Sequence, residues 1–135
     1  MFNKIKLFIA TAILFLLSAC GGGGDDAPPF LSSNYGTWSG TLQQDRNRTL
    51  SATLTLGTAG YNIDYRPISN CYGQLILASE SSVEAIFTER ITFGVQNCIT
   101  GGTVVLSKAG SNALDFKWYD PLTKELRVVG YVIKK

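Results

Sequence analysis

Between Tyr35 and Ile133, polar and apolar residues alternate with a period of two, and turn residues interrupt the alternation at short intervals. Successive side chains of a strand point to opposite faces, so this pattern builds strands with one face on a core and the other in water. Leu50, Ala52, Leu54 and Leu56, interleaved with Ser51, Thr53 and Thr55, form the clearest case. Trp38, Gly40 and Leu42 precede it, before the polar turn Asp45-Arg46-Asn47-Arg48. Tyr61, Ile63 and Tyr65 follow it after Gly57 to Gly60, and end at Pro67, which has no N–H for a ladder. A fourth strand from Cys71 to about Ala78 sets Gly73, Leu75 and Leu77 inward. The next, Val83 to about Phe93, carries Ala85, Phe87, Glu89 and Ile91 in one phase, and its length implies a bend or bulge.

After a loop with Cys98 and Gly101-Gly102 come Val104 and Leu106, then a turn at Ala109 to Asn112. Leu114, Phe116 and Trp118 alternate with Asp115 and Lys117 up to Asp120-Pro121, which suits a type I turn. The last strand, Leu126 to Ile133, is apolar in both phases. Nothing after Cys20 sustains a helical period. The expected fold is all-β, with about eight antiparallel strands in an up-and-down barrel or a strongly curved sandwich, because closure removes the edges a meander leaves open.

The start of the chain follows another logic. Lys4 and Lys6 precede an apolar run, Leu7 to Leu17, and then Ser18-Ala19-Cys20. That run would rise roughly 17 Å as a helix, against the ~30 Å hydrocarbon core, so it reads as a signal and not a span. Small Ser18 and Ala19 admit a peptidase beside Cys20, whose thiol can accept lipid. Leu17-Ser18-Ala19-Cys20 in this setting resembles the lipobox of a bacterial lipoprotein signal peptide. The resemblance implies that 1–19 is removed and that Cys20 becomes the acylated first residue. Several acyl chains make such attachment stable. Gly21 in place of an aspartate implies sorting to the outer membrane, with the protein facing the periplasm. Residues 20–33, rich in Gly, Asp, Pro and Ser, read as a flexible tether, and 34–135 as the β domain.

Charge and residue types narrow the function. Of the 12 Lys and Arg, Lys4 and Lys6 lie in the signal, which leaves ten against 10 Asp and Glu. A neutral mature chain has no electrostatic footprint for nucleic acid. Once Cys20 is acylated, Cys71 and Cys98 remain; an even pair in an exported protein reads as a disulfide, worth roughly 3 to 4 kcal/mol in the chain-entropy treatment. The chain has no histidine, so the commonest general base and the Ser-His and Cys-His nucleophile pairs are missing, and no metal-ligand spacing occurs. No cofactor and no catalytic residue is expected. Glu89 alone among the strand carboxylates falls in an apolar phase. It is either a buried acid of raised pKa facing a pocket or a structural carboxylate satisfied by neighbours. Tyr61, Tyr65, Phe116 and Trp118 read as core in preference to a sugar-stacking platform.

Gly36-Thr37-Trp38-Ser39-Gly40, Cys71-Tyr72-Gly73, Phe87 to Ile91, Cys98, Gly102 to Leu106 and Trp118 together resemble a small two-cysteine β domain of bacterial lipoproteins and of the outer segments of some bacterial serine/threonine kinases. The resemblance implies a shared fold and no particular activity. Gly36-x-Trp38 with Arg127 in the last strand is also similar to lipocalins, where a Trp packs against a late basic side chain at one end of the barrel. The expected function is that of a non-enzymatic, lipid-anchored envelope module, monomeric, which meets an envelope protein or glycan through its outer face. Tyr72, Tyr119 and Tyr131, out of phase with the inward residues, are its expected contacts. The alternative is a small lipocalin-like carrier of an apolar ligand, which would need a cavity of roughly 300 Å³ or more.

Overall fold

A computed structural model describes residues 27–135. The lipobox, Cys20 and the glycines that follow it lie outside the described residues. Eight strands run in chain order: β1 Gly36–Gln44, β2 Arg48–Gly57, β3 Gly60–Asp64, β4 Tyr72–Glu80, β5 Glu84–Phe93, β6 Thr103–Lys108, β7 Ala113–Tyr119 and β8 Leu126–Lys134. Each pairs antiparallel with the next, and β8 pairs back onto β1, so the sheet is a closed up-and-down barrel. No helix occurs among the described residues.

The inward phase fills the barrel. Trp38, Leu42, Leu54, Phe87, Leu106, Phe116 and Val132 are at most 1 % exposed. Fully burying one such side chain stabilises the fold by about 1.5 to 3 kcal/mol relative to leaving it in water. On β8 the outward phase stays in solvent: Val129, Tyr131 and Ile133 are exposed, while Val128 and Val132 are buried.

The alternation slips at three places: between β7 and β8, where Trp118 pairs with Val128 and Tyr119 with Leu126 so that Arg127 is extra, and twice between β4 and β5. Gly73 pairs with Ile91 and Tyr72 with Phe93, so Thr92 is an extra residue on β5. Leu77 pairs with Phe87 and Ser79 with Ile86, which makes Ala78 an extra residue on β4. Such bulges bend and twist a ladder, as closure of a small barrel requires. Leu77, assigned inward from the sequence, pairs with the inward Phe87 but is exposed where the second β4–β5 slip begins. Past that slip Glu80 faces the buried Ala85, and its Oε2 accepts the Leu31 N–H at 3.1 Å.

The two ends of the barrel differ. Tight turns, the C-terminus and residues 27–35 gather at one end, where Phe30 and Leu31 are 1 % exposed and belong to the core. Asn34, itself buried, donates to the Phe30 carbonyl at 2.6 Å, and its own carbonyl accepts the Trp38 indole N–H at 3.0 Å. The tether therefore does not extend to Ser33, because the Phe30-Leu31 pair seals this end of the barrel. The cation over Trp38 is Lys134, 5.5 Å from the ring centroid. Arg127, expected there, lies at the opposite end, where it pairs with Asp45 at 2.8 Å. Asp120-Pro121 opens a longer loop than a four-residue turn: Lys124 N–H reaches the Asp120 carbonyl, while Asp120 Oδ1 accepts Leu122 N–H and Thr123 N–H.

Candidate functional site

The end opposite Phe30 carries the long connections, residues 65–71 between β3 and β4 and residues 94–102 between β5 and β6. Irregular segments on a rigid frame are where binding groups concentrate. The Cys71–Cys98 disulfide joins these two loops, with 6.5 Å between Cα atoms. Gly94 makes the close approach workable. Its φ is +78°, and a β-carbon there would stand 2.5 Å from the Asn70 carbonyl oxygen and 2.9 Å from Cys71 Cβ. The stapled loops rim an open cup of about 730 Å³.

Glu89, Tyr65 and Trp118 form the base of this cup. Glu89 stands mid-strand on β5, one inward position nearer the mouth than Phe87, and is 2 % exposed. Its backbone is fixed by Glu89 N–H to the Gly102 carbonyl and by Gly101 N–H to the Glu89 carbonyl, both at 2.8 Å. Tyr65 is set by its N–H to the Cys71 carbonyl, and its hydroxyl donates to Glu89 Oε2 at 2.5 Å. From β7 the Trp118 indole N–H donates to Oε1 at 3.1 Å. Trp118 reaches that position because Gly102 has no side chain: a β-carbon there would meet the indole at 2.2 to 2.5 Å.

Burial dominates the electrostatics. It raises the Glu89 carboxyl to about 7, against the hydrogen bonds from Tyr65 and Trp118 that favour the ionised form. Tyr65 is pushed well above the usual phenol range, by burial first and then by Glu89. Above the base, Leu50, Ile68, Ile99 and Val128 give apolar walls, and Gln44, Arg48 and Asn97 stand among the polar lining groups. Thus Glu89 is both buried and part of a cavity lining, and each of its oxygens accepts one hydrogen bond from a neutral donor.

The other singled-out residues are dispersed. Tyr72 stacks on Phe93, with centroids 5.1 Å apart, and lies under the Arg66 guanidinium at 4.5 Å. Tyr131 is exposed on β8, opposite Asp115, whereas Tyr119 is half-buried near the mouth, opposite Leu126. Tyr72 sits on β4, so the structure does not bring the three tyrosines onto one surface. Tyr61 packs edge-on against Phe87, and Phe116 is fully buried. Gly102, Leu50, Val128 and Ile99 were not marked by the sequence as parts of a site; their one signal was the placement of a long, cysteine-bearing loop beside a strand with an inward carboxylate. No group of three His, Cys, Asp or Glu suited to a metal occurs among the described residues. Comparison with known protein families, with curated proteins and with solved structures found no match to this chain.

Proposed function

We propose that the chain is a lipid-anchored protein of the bacterial envelope and a non-enzymatic binding module whose barrel mouth takes a small ligand. The observation that carries this reading is the open cup of about 730 Å³ with a buried carboxylate at its base. A pocket with apolar walls and a few convergent polar groups is the usual form of a small-molecule site. Below it, Trp38, Leu54, Phe87 and Phe116 fill the interior, so a ligand is held at the mouth and not along the axis. A wholly apolar cargo suits the cup poorly, because it would seal Glu89 from water without offering it a partner. The chain enters the barrel at the Phe30 end, so an anchor at Cys20 leaves the mouth on the side away from the point of attachment.

The test compares two variants of the full chain by native mass spectrometry after incubation with a small-molecule extract of bacterial envelopes. Asn97→Trp narrows the mouth, and a triple Tyr72→Ser, Tyr119→Ser, Tyr131→Ser variant alters the outer face. Loss of a bound adduct in the first and its retention in the second is the expected result. The reverse pattern would move the function to the outer face.

A further inference from the structure

Glu89 is more than the fold needs at this position. Carboxylates are rarely buried without a cation beside them, yet no Lys or Arg forms an ion pair with Glu89 among the described residues. Its partners are two neutral donors, one on each oxygen. An ionised carboxylate offers about four acceptor positions, so two bonds leave capacity on the side that lines the cup. Arg48 also lines the cup, but it is an exposed residue whose charge acts on Asp45 and not on Glu89. The walls over the carboxylate are apolar, from Leu50, Ile99 and Val128.

We infer that the mouth binds a small organic cation, a primary or secondary amine on an apolar body, with Glu89 as its counter-ion. The ammonium N–H groups take the acceptor positions that Tyr65 and Trp118 leave, and the apolar body covers the walls and excludes water from the pair. An anionic ligand would meet the Glu89 charge without a cation beside it. A metal ion would find one carboxylate and no further acidic, cysteine or histidine ligand grouped with it. The inference rests on the mouth being the binding face.

Ionised Glu89 is the form that pairs with an ammonium, so binding strengthens as pH rises through about 7. The groups around Glu89 do not compete in that range. Tyr65 stays protonated, Trp118 does not titrate, Leu75 faces it from β4, the Gly101-Gly102 backbone faces it from the loop before β6, and Arg48 lines the cup from β2.

The probes are phenylbutylamine, phenylbutanol and phenylbutyrate, which share one apolar body and differ in head group. Binding to the full chain is read by calorimetry and by Trp fluorescence. At about pH 8.5 the amine is expected to bind at least ~10-fold more tightly than the alcohol, and the carboxylate most weakly. The preference is expected to disappear at about pH 5.5, where Glu89 is protonated, and in Glu89→Gln, which should keep the affinity for the alcohol. Tyr65→Phe gives a second measure that does not depend on the folding of Glu89→Gln. Removing a hydrogen bond that favours the ionised form should move the onset of amine preference to higher pH. Equal binding of amine and alcohol, or a preference that survives in Glu89→Gln, overturns the counter-ion assignment while the mouth stands as the binding face. Failure of all three probes to bind overturns both.

Discussion

Trp118 lies against Gly102 so closely that a β-carbon at residue 102 would come within 2.2 Å of the indole Nε1, the atom that donates to Glu89. Gly102→Ala must therefore displace the ring or shift the start of β6. Overpacking of this kind costs about 1 to 3 kcal/mol, and leaving one carboxylate oxygen without its donor adds to it. Urea unfolding should show that loss, and near-ultraviolet circular dichroism should show Trp118 in a changed environment. An unchanged midpoint and spectrum would mean that the indole is not held where the structure has it.

The Glu89 carboxyl gives the barrel an unusual pH dependence. Its folded value of about 7 lies above the ordinary 4.5, so the folded state holds a proton that the unfolded state releases. The stabilisation is complete below about pH 4.5 and is lost as pH rises through about 7, by about 3 kcal/mol in all. Asp45, Asp64 and Asp120, held below the usual carboxylate range chiefly by hydrogen bonds, act in the opposite sense at lower pH and leave this window to Glu89. Denaturation midpoints should fall between pH 5 and pH 8 in the wild type and stay nearly level in Glu89→Gln.

Much of the barrel was legible because its strands keep their phase. Leu50 to Leu56 and Leu114 to Trp118 face the core as the alternation implies. The exposure of Leu77 was not legible: Ala78 shifts the register just beyond it, and a bulge leaves no mark in a pattern of apolar residues. Phe30 and Leu31 were hidden for a related reason, since an adjacent apolar pair after a run of Gly, Asp and Pro has no period to reveal burial. Glu89 stood out as the carboxylate in an inward phase, but its donors could not be read, because Tyr65 and Trp118 meet it across separations of 24 and 29 residues. Lys134 and Arg127 lie at opposite ends of the same strand, and sequence alone did not say which end Trp38 shares.

The disulfide ties together the two loops that shape the cup. Breaking it as Cys71→Ala should lower the unfolding free energy by about 2 to 5 kcal/mol. Because Cys71 is fully buried and Gly94 packs on its β-carbon, the loss should loosen residues 65–71 and 94–102 before the strands. Hydrogen exchange that accelerates evenly over the whole barrel would show that the bond does not act locally on the rim. Mass analysis of the folded, unreduced chain should find no alkylatable thiol at Cys71 or Cys98.

Anchoring at Cys20 is tested by replacing the one thiol that could accept lipid. Cys20→Ala should leave the protein unprocessed or release it from the membrane fraction, with no change in the barrel's unfolding midpoint. A correctly cleaved variant that still sediments with membranes would remove the anchor from the proposed function.

The Phe30 end predicts a sharp boundary between tether and barrel. Phe30 is 1 % exposed, its carbonyl accepts from Asn34, and its N–H donates to the Ser81 carbonyl at 2.9 Å. Residues 27–29, just before it, are exposed. Phe30→Ala opens a cavity in the core and should cost about 3 to 5 kcal/mol, the range for removing a buried aromatic ring. Deleting Gly21 to Gly24, which the sequence reading assigns to the tether, should leave the unfolding free energy within about 0.5 kcal/mol of wild type. Both are read by chemical denaturation of the full chain. If Phe30→Ala were as mild as the glycine deletion, the N-terminal segment would not be part of the barrel's core, and the end facing the anchor would be open instead of sealed.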